Sequence, residues 1–386
     1  MILRKLHMVN EEAKRNIKIE GKKIKNIAFE EILSNKHEID LSFDNCYVFP
    51  GLINSHDHLD FDLFPQLGNH IYKNYLEWGI DIHRQNDATI RQILSIPKAL
   101  RVKWGVYKNL VTGITTAVQH GEELEITEKS INVFQDCISL HSVSLEKHWR
   151  RTLNNPFSNR RPFVVHVGEG TDTQRCEEID ELLHYNFFRR KLVGVHGIAM
   201  NVQQAKKFQA LIWCPDSNYF LYGNTARINE LRNYTKILFG TDSTVSADWN
   251  IWNHFRLARM TNLLDDDELF RAVTTDAAKI WKLNKTGSIC EGYYADLFIA
   301  KMHSIDKNDA NNFFSTNPEN IQLVLHKGAI VLFDASLLTQ LKNVSLKDFS
   351  CIYVKGNQKF VLGDLPSLIK EIQKYVPEIK FPIDVE

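Results

Sequence analysis

Val48-Phe49-Pro50-Gly51-Leu52-Ile53-Asn54-Ser55-His56-Asp57-His58 is an apolar run that ends in two histidines one residue apart. Side chains alternate between the faces of a strand, so His56 and His58 point the same way. Two imidazoles fixed by one strand can grip a single metal ion. Pro50-Gly51 is a turn signal, which suggests that the strand is entered from a separate element. A lone histidine at a strand end is more often a polar residue satisfied by water. A His-x-His pair behind an apolar run carries more meaning, provided that further ligands follow in the chain.

Five later blocks supply candidates. They are Gly113-Ile114-Thr115-Thr116, Val164-Val165-His166-Val167-Gly168-Glu169, Val195-His196-Gly197, Cys214-Pro215-Asp216-Ser217-Asn218 and Phe239-Gly240-Thr241-Asp242-Ser243. In this order, and behind the His-x-His motif, they resemble the amidohydrolase superfamily. More narrowly they are similar to its cytosine deaminase and chlorohydrolase-like branch. The resemblance runs from residue 45 to residue 300.

The resemblance implies one divalent metal ion held by His56, His58, His166 and Asp242. Three imidazoles and a carboxylate suit zinc or iron(II), and ligand type alone does not choose between them. It also implies roles around a metal-activated water. Glu169 would carry a proton from that water to the leaving side of the substrate. His196 would orient or polarise the group under attack, and Asp242 would take the water's first proton. Any one of these residues alone reads as core, loop charge or helix cap; together they read as a metal site. No lysine ends the fourth candidate strand, since Lys147 lies past it, so a bridged two-metal centre is not expected. His120 ends the second candidate strand and matches no ligand motif.

The rest of the chain fits an ordinary globular enzyme. Its 386 residues suffice for one large domain and a smaller one. Lys plus Arg and Asp plus Glu are both 47, so charge gives no reason to expect nucleic acid or a membrane surface. Charges interrupt the apolar residues of the first sixteen positions, unlike a signal peptide. Six scattered cysteines without a Cys-x-x-Cys read as reduced thiols. The expectation is a cytoplasmic protein with a small-molecule substrate, and the resemblance adds a homodimer.

From residue 163 strands and helices alternate. Strands are expected at 163–167, 192–196, 211–214 and 237–240, and helices at 172–185, 201–209, 225–233 and 265–282. That rhythm implies a parallel sheet and, at this number of units, a (β/α)8 TIM-like barrel with its site at the carboxyl ends of the strands. The span 120–163 is short for two full units, so the barrel is expected to be trimmed around strands 2–4. Residues 1–51 and 287–386 are expected to join into a composite β-sandwich, with the hydrolase barrel at 52–286. Residues 59–110 form an excursion with helices broken near Pro97.

The expected activity is hydrolysis of a non-peptide carbon–nitrogen bond, with deamination of an amino-substituted nitrogen heterocycle favoured. Ring opening of a cyclic amide, or a metal-bearing barrel that binds without turnover, are the alternatives. Phe61, Phe64, Trp78, Arg150, Arg151, Asn218 and Trp249 are candidates for the pocket.

Overall fold

The computed structural model describes residues 1–158, 161–302, 306, 308–342 and 344–385. Gly51 divides the opening run into two strands that belong to different sheets. Cys46–Pro50 pairs antiparallel with Leu297–Lys301, whereas Leu52–Asp57 (β1) pairs parallel with Ile114–Gln119 (β2). A Cβ on Gly51 would lie 2.2 Å from Thr115 Oγ1, so glycine is what lets the chain cross between sheets against β2.

Eight parallel strands carry the central residues. Asn132–Phe134 (β3) extends the sheet of β1 and β2. Ile138–Leu140 (β4), Phe163–Val167 (β5), Leu192–His196 (β6), Phe208–Trp213 (β7) and Lys236–Phe239 (β8) form a second sheet in the order β8-β7-β6-β5-β4. Strands β5 and β6 are buried along their whole length. Continuous apolar runs of this kind suit parallel strands covered on both faces. The two sheets meet where β8 ends: the amides of Thr241 and Asp242 donate to His56 O at 3.2 and 3.1 Å.

The trimming expected around strands 2–4 is observed, with a reason. Only residues 135–137 separate β3 from β4, and a parallel crossover needs a dozen residues or more. Among the described residues no pairing joins these two strands, and no helix lies between β2 and β4.

The excursion holds helices Tyr75–Gln85, Asp87–Leu94 and Lys98–Val111. Asn74 caps the first by accepting from the Leu76 and Glu77 amides, and Pro97 separates the last two. Later helices are shorter than expected. The span 201–209 holds one turn, Val202–Ala205, because β7 already begins at Phe208. The span 225–233 keeps Ile228–Leu231, and 265–282 splits into Asp266–Ala272 and Thr275–Ile280. A helix absent from the expectation, Pro215–Tyr222, follows β7 directly, with Pro at its start and Gly223 at φ +60° as its stop.

Both chain ends contribute to two further sheets. Ile2–Leu6, Arg15–Glu20, Lys23–Ala28 and Asp40–Ser42 form one, and Cys46–Pro50 joins five strands between Leu297 and Leu362 in the other. Leu3, Ile17 and Ile19 share an apolar cluster with Leu297, Leu323 and Phe333. Among the described residues no helix is long and apolar enough to cross a membrane.

Candidate active site

The six residues singled out in the sequence converge beyond the carboxyl ends of four strands. His56 lies on β1 and His58 just past it; His166 lies on β5 with Glu169 past its end. His196 closes β6, and Asp242 stands three residues beyond β8. His56 Nε2 and His58 Nε2 are each 3.6 Å from Asp242 Oδ1. His196 Nε2 is 3.8 Å from Glu169 Oε1 and 3.9 Å from Asp242 Oδ2. Three overlapping trios, His56–His58–His166, His56–His196–Asp242 and His166–Glu169–His196, each have their ligand atoms within 4.8 Å of one another.

The chemistry of this donor set fits a divalent ion. Among the described residues, both ring nitrogens of His56 and Nε2 of His196 are buried without a hydrogen-bond partner. Buried polar atoms are rarely left so, and a shared cation would satisfy them. Burial pushes His56 down to about 4 and His166 well below its usual range. Neutral imidazole is the form that ligates. Burial also works to raise the Asp242 carboxyl, yet His56 and the neighbouring histidines hold it well below its usual range. His166 Nδ1 donates to His141 O at 2.9 Å, which leaves its Nε2 free for the centre.

Local backbone explains the aim of two side chains. His196 and Asp242 adopt φ +67° and +59°, a left-handed conformation that costs non-glycine residues about 1–3 kcal/mol and concentrates at functional sites. Glu169 sits between Gly168 at φ +57° and Gly170, where a Cβ would meet Asn74 Cβ at 2.6 Å.

The sequence signature of the Amidohydrolase family matches residues 158–331. Over that span the chain is similar to the amidohydrolases. A 5-methylthioadenosine/S-adenosylhomocysteine deaminase of Caldicellulosiruptor saccharolyticus is 22% identical, over 89% of this chain and 94% of the relative. Atrazine chlorohydrolase from Arthrobacter aurescens TC1, solved with zinc, shares the fold at TM-score 0.72 and 15% identity, over 97% of this chain and 100% of that one. A zinc-bound adenosine deaminase from Xanthomonas campestris gives 0.70 and 13%, over 98% of each.

Several supports of this site escaped the sequence reading. Ser217 Oγ and Ser246 Oγ donate to Asp242 Oδ2 at 2.8 and 3.0 Å. Tyr222 OH donates to Glu169 Oε1 at 2.8 Å, and burial raises the Glu169 carboxyl. Ser217 and Tyr222 ride on helix Pro215–Tyr222, whose first residues lie in the Cys214–Asn218 block quoted above without a role for Ser217. Asn218, from the same helix, is a partner of His196 rather than a bare pocket residue: its Oδ1 accepts from His196 Nδ1 at 2.8 Å. That bond fixes the tautomer. His196 Nε2 is then an acceptor in the neutral ring and donates only from the imidazolium, which narrows its expected polarising role.

Beneath the His-x-His turn lies a buried ionic network. Lys108 Nζ bonds Asp57 Oδ2 at 3.0 Å and Asp62 Oδ1 at 2.8 Å. Asn109 and Asn54 donate to the same Asp57 oxygen, and Asn54 also reaches Thr241 Oγ1 at 2.7 Å. The turns after β1 and β8 are therefore tied together below the site.

The remaining pocket candidates divide. The Phe61 ring lies 6.2 Å from that of His58, and Phe64 stacks on Phe61. The Trp78 indole donates to Leu67 O at 2.7 Å and packs beside Tyr72 and Tyr222. Trp249 packs against the main core. Arg150 is a correction: it is bound to Glu181 at 2.6 Å and lies over the Tyr185 ring, and Arg151 is exposed on the same short helix. Among the described residues neither arginine contacts the histidine cluster, and the partners of Arg150, Glu181 and Tyr185, lie at the carboxyl end of helix Thr173–His184.

Proposed function

We propose that this chain is a metal-dependent amidohydrolase that deaminates an amino-substituted nitrogen heterocycle with a water activated by one divalent ion. The observation that carries the reading is the grouping of His56, His58 and His166, with His56 and His58 Nε2 each 3.6 Å from Asp242 Oδ1 and, among the described residues, no hydrogen-bond partner for either buried ring nitrogen of His56. In the same reading the eight parallel strands are one (β/α)8 barrel over residues 52–286. Residues 1–51 and 287–386 form a composite β-domain beside it.

His56, His58, His166 and Asp242 would hold the ion, which when bound would lower the pKa of a water toward neutrality. The chain's own residues do the rest. Asp242 is held as a carboxylate, so it can accept a proton. Glu169 has one oxygen anchored by Tyr222, which leaves Oε2 free to carry a proton to the departing nitrogen. Amine departure from a tetrahedral centre requires that protonation. His196, held by Asn218, sets its Nε2 beside both carboxylates, where it contacts the group under attack. The names of the relatives, which include a guanine deaminase, support a heterocyclic amine as the substrate class.

The test is ammonia release from a panel of amino-purines, amino-pyrimidines, pterins and triazines by zinc-loaded protein. Deamination yields one ammonia per substrate consumed. Consumption without ammonia would instead support ring opening, and no consumption across the panel would contradict the proposal.

A further inference from the structure

His56, His58, His120, His141, His166 and His196 crowd this end of the strands, and the reaction proposed above uses four of them. Of the other two, His141 is exposed and holds His166 through its carbonyl, and His120 is the buried one without a role. It follows β2 directly, and its amide donates to Asp57 O at 2.9 Å, between the two histidines of the opening motif. Its side chain is buried, at 2% exposure, and neither ring nitrogen has a hydrogen-bond partner. The ring centroid lies 4.5 Å from that of His166, 5.0 Å from His56 and 5.3 Å from His58. Those three rings are themselves 4.8, 5.0 and 5.6 Å apart. Four rings thus stand at the corners of a slightly distorted tetrahedron. His196 fits it less well, 6.1 Å from His56 and with Nδ1 already committed to Asn218.

A neutral imidazole with both nitrogens buried and unpartnered is costly, and something must repay at least one of them. The solvent-free position of His120 and its spacing from the three rings make a cation the fitting partner. We propose that His120 is a further nitrogen donor to the ion, completing a set of four imidazoles and one carboxylate. This rests on the metal reading given above. The backbone bond from His120 to Asp57 holds the ring in place: β1 and β2 present their donors as one rigid unit. Nothing in the motifs that define the other ligands signals this residue.

The experiment is zinc-edge X-ray absorption on the zinc-reconstituted full chain, where outer-shell scattering counts imidazoles. Wild type is expected to show four, and His120→Asn and His120→Phe three. Competition against a chelator is expected to show zinc affinity weakened at least about tenfold in both variants. His196→Asn is expected to keep the wild-type count. Three imidazoles in wild type, or an unchanged count and affinity in His120→Asn, would overturn the assignment. If neither variant folds, the wild-type count still decides. The outcome is separable from the reaction itself: four imidazoles with no ammonia released supports this assignment and overturns the deamination, and ammonia released from a three-imidazole site does the reverse.

Discussion

Glu169 is buried, burial raises its carboxyl, and among the described residues its side chain is hydrogen-bonded through Oε1 alone. Those are the attributes of a group that moves a proton. Glu169→Gln keeps its shape and its bond to Tyr222 but cannot shuttle. Steady-state assays should show turnover lower by about 10²–10⁴-fold, with bound zinc unchanged by elemental analysis. Lys108 is a second sensitive residue. Replacing it with Met leaves Asp57 and Asp62 buried without their cation, and chemical denaturation should show a loss of about 3–5 kcal/mol. At this scale the sequence was legible where a residue ends a motif: His56, His58, His166, Glu169, His196 and Asp242 all meet. It was not legible where a residue acts through another. Ser246 and Tyr222 carry no signature of their own and Ser217 only its place in the Cys214–Asn218 block; their contacts exist because a helix and a loop bring them to Asp242 and Glu169. The arginines misled because charge alone does not tell which end of a strand a loop serves.

Elements were legible in proportion to their length. Buried β-branched strands and the helix from Thr173 to His184 stand out by periodicity, whereas a single turn such as Val202–Ala205 is too short to show one. The split of the opening run at Gly51 was foreshadowed by its turn signal, and Thr115 explains why no larger residue fits. Gly51→Ala should therefore destabilise the chain by about 1–3 kcal/mol or more, measured by thermal unfolding. The amino-terminal sheet makes a pH-dependent contribution. Arg4 donates two bonds of 2.6 Å to Asp40, and this pairing holds the carboxyl below its usual range. Between the folded and unfolded pKa values the unfolded chain binds more protons, so stability rises with pH. The contribution, about 1 kcal/mol for such a partly exposed pair, is complete above the unfolded value and is lost as pH falls through the folded one. Denaturation midpoints from pH 6 downward should fall less steeply in Asp40→Asn than in wild type.

At the scale of the whole molecule, the proposed ion joins segments that the chain keeps far apart. β1, β5 and the turn after β8 belong to two sheets, and the amides of Thr241 and Asp242 on His56 O already bring those sheets together. A ligand that binds only the folded chain stabilises it, by about 2.7 kcal/mol at a hundredfold excess over its dissociation constant. Zinc should accordingly raise the unfolding temperature and chelation should lower it. The most direct measurement of the central claim is metal stoichiometry in wild type, His56→Ala, His166→Ala and Asp242→Ala after equilibration with zinc and removal of the excess. One ion per wild-type chain, with binding lost or strongly weakened in all three variants, is the result predicted. A wild-type chain that retains no ion, or variants that retain it as tightly as wild type, would contradict the account.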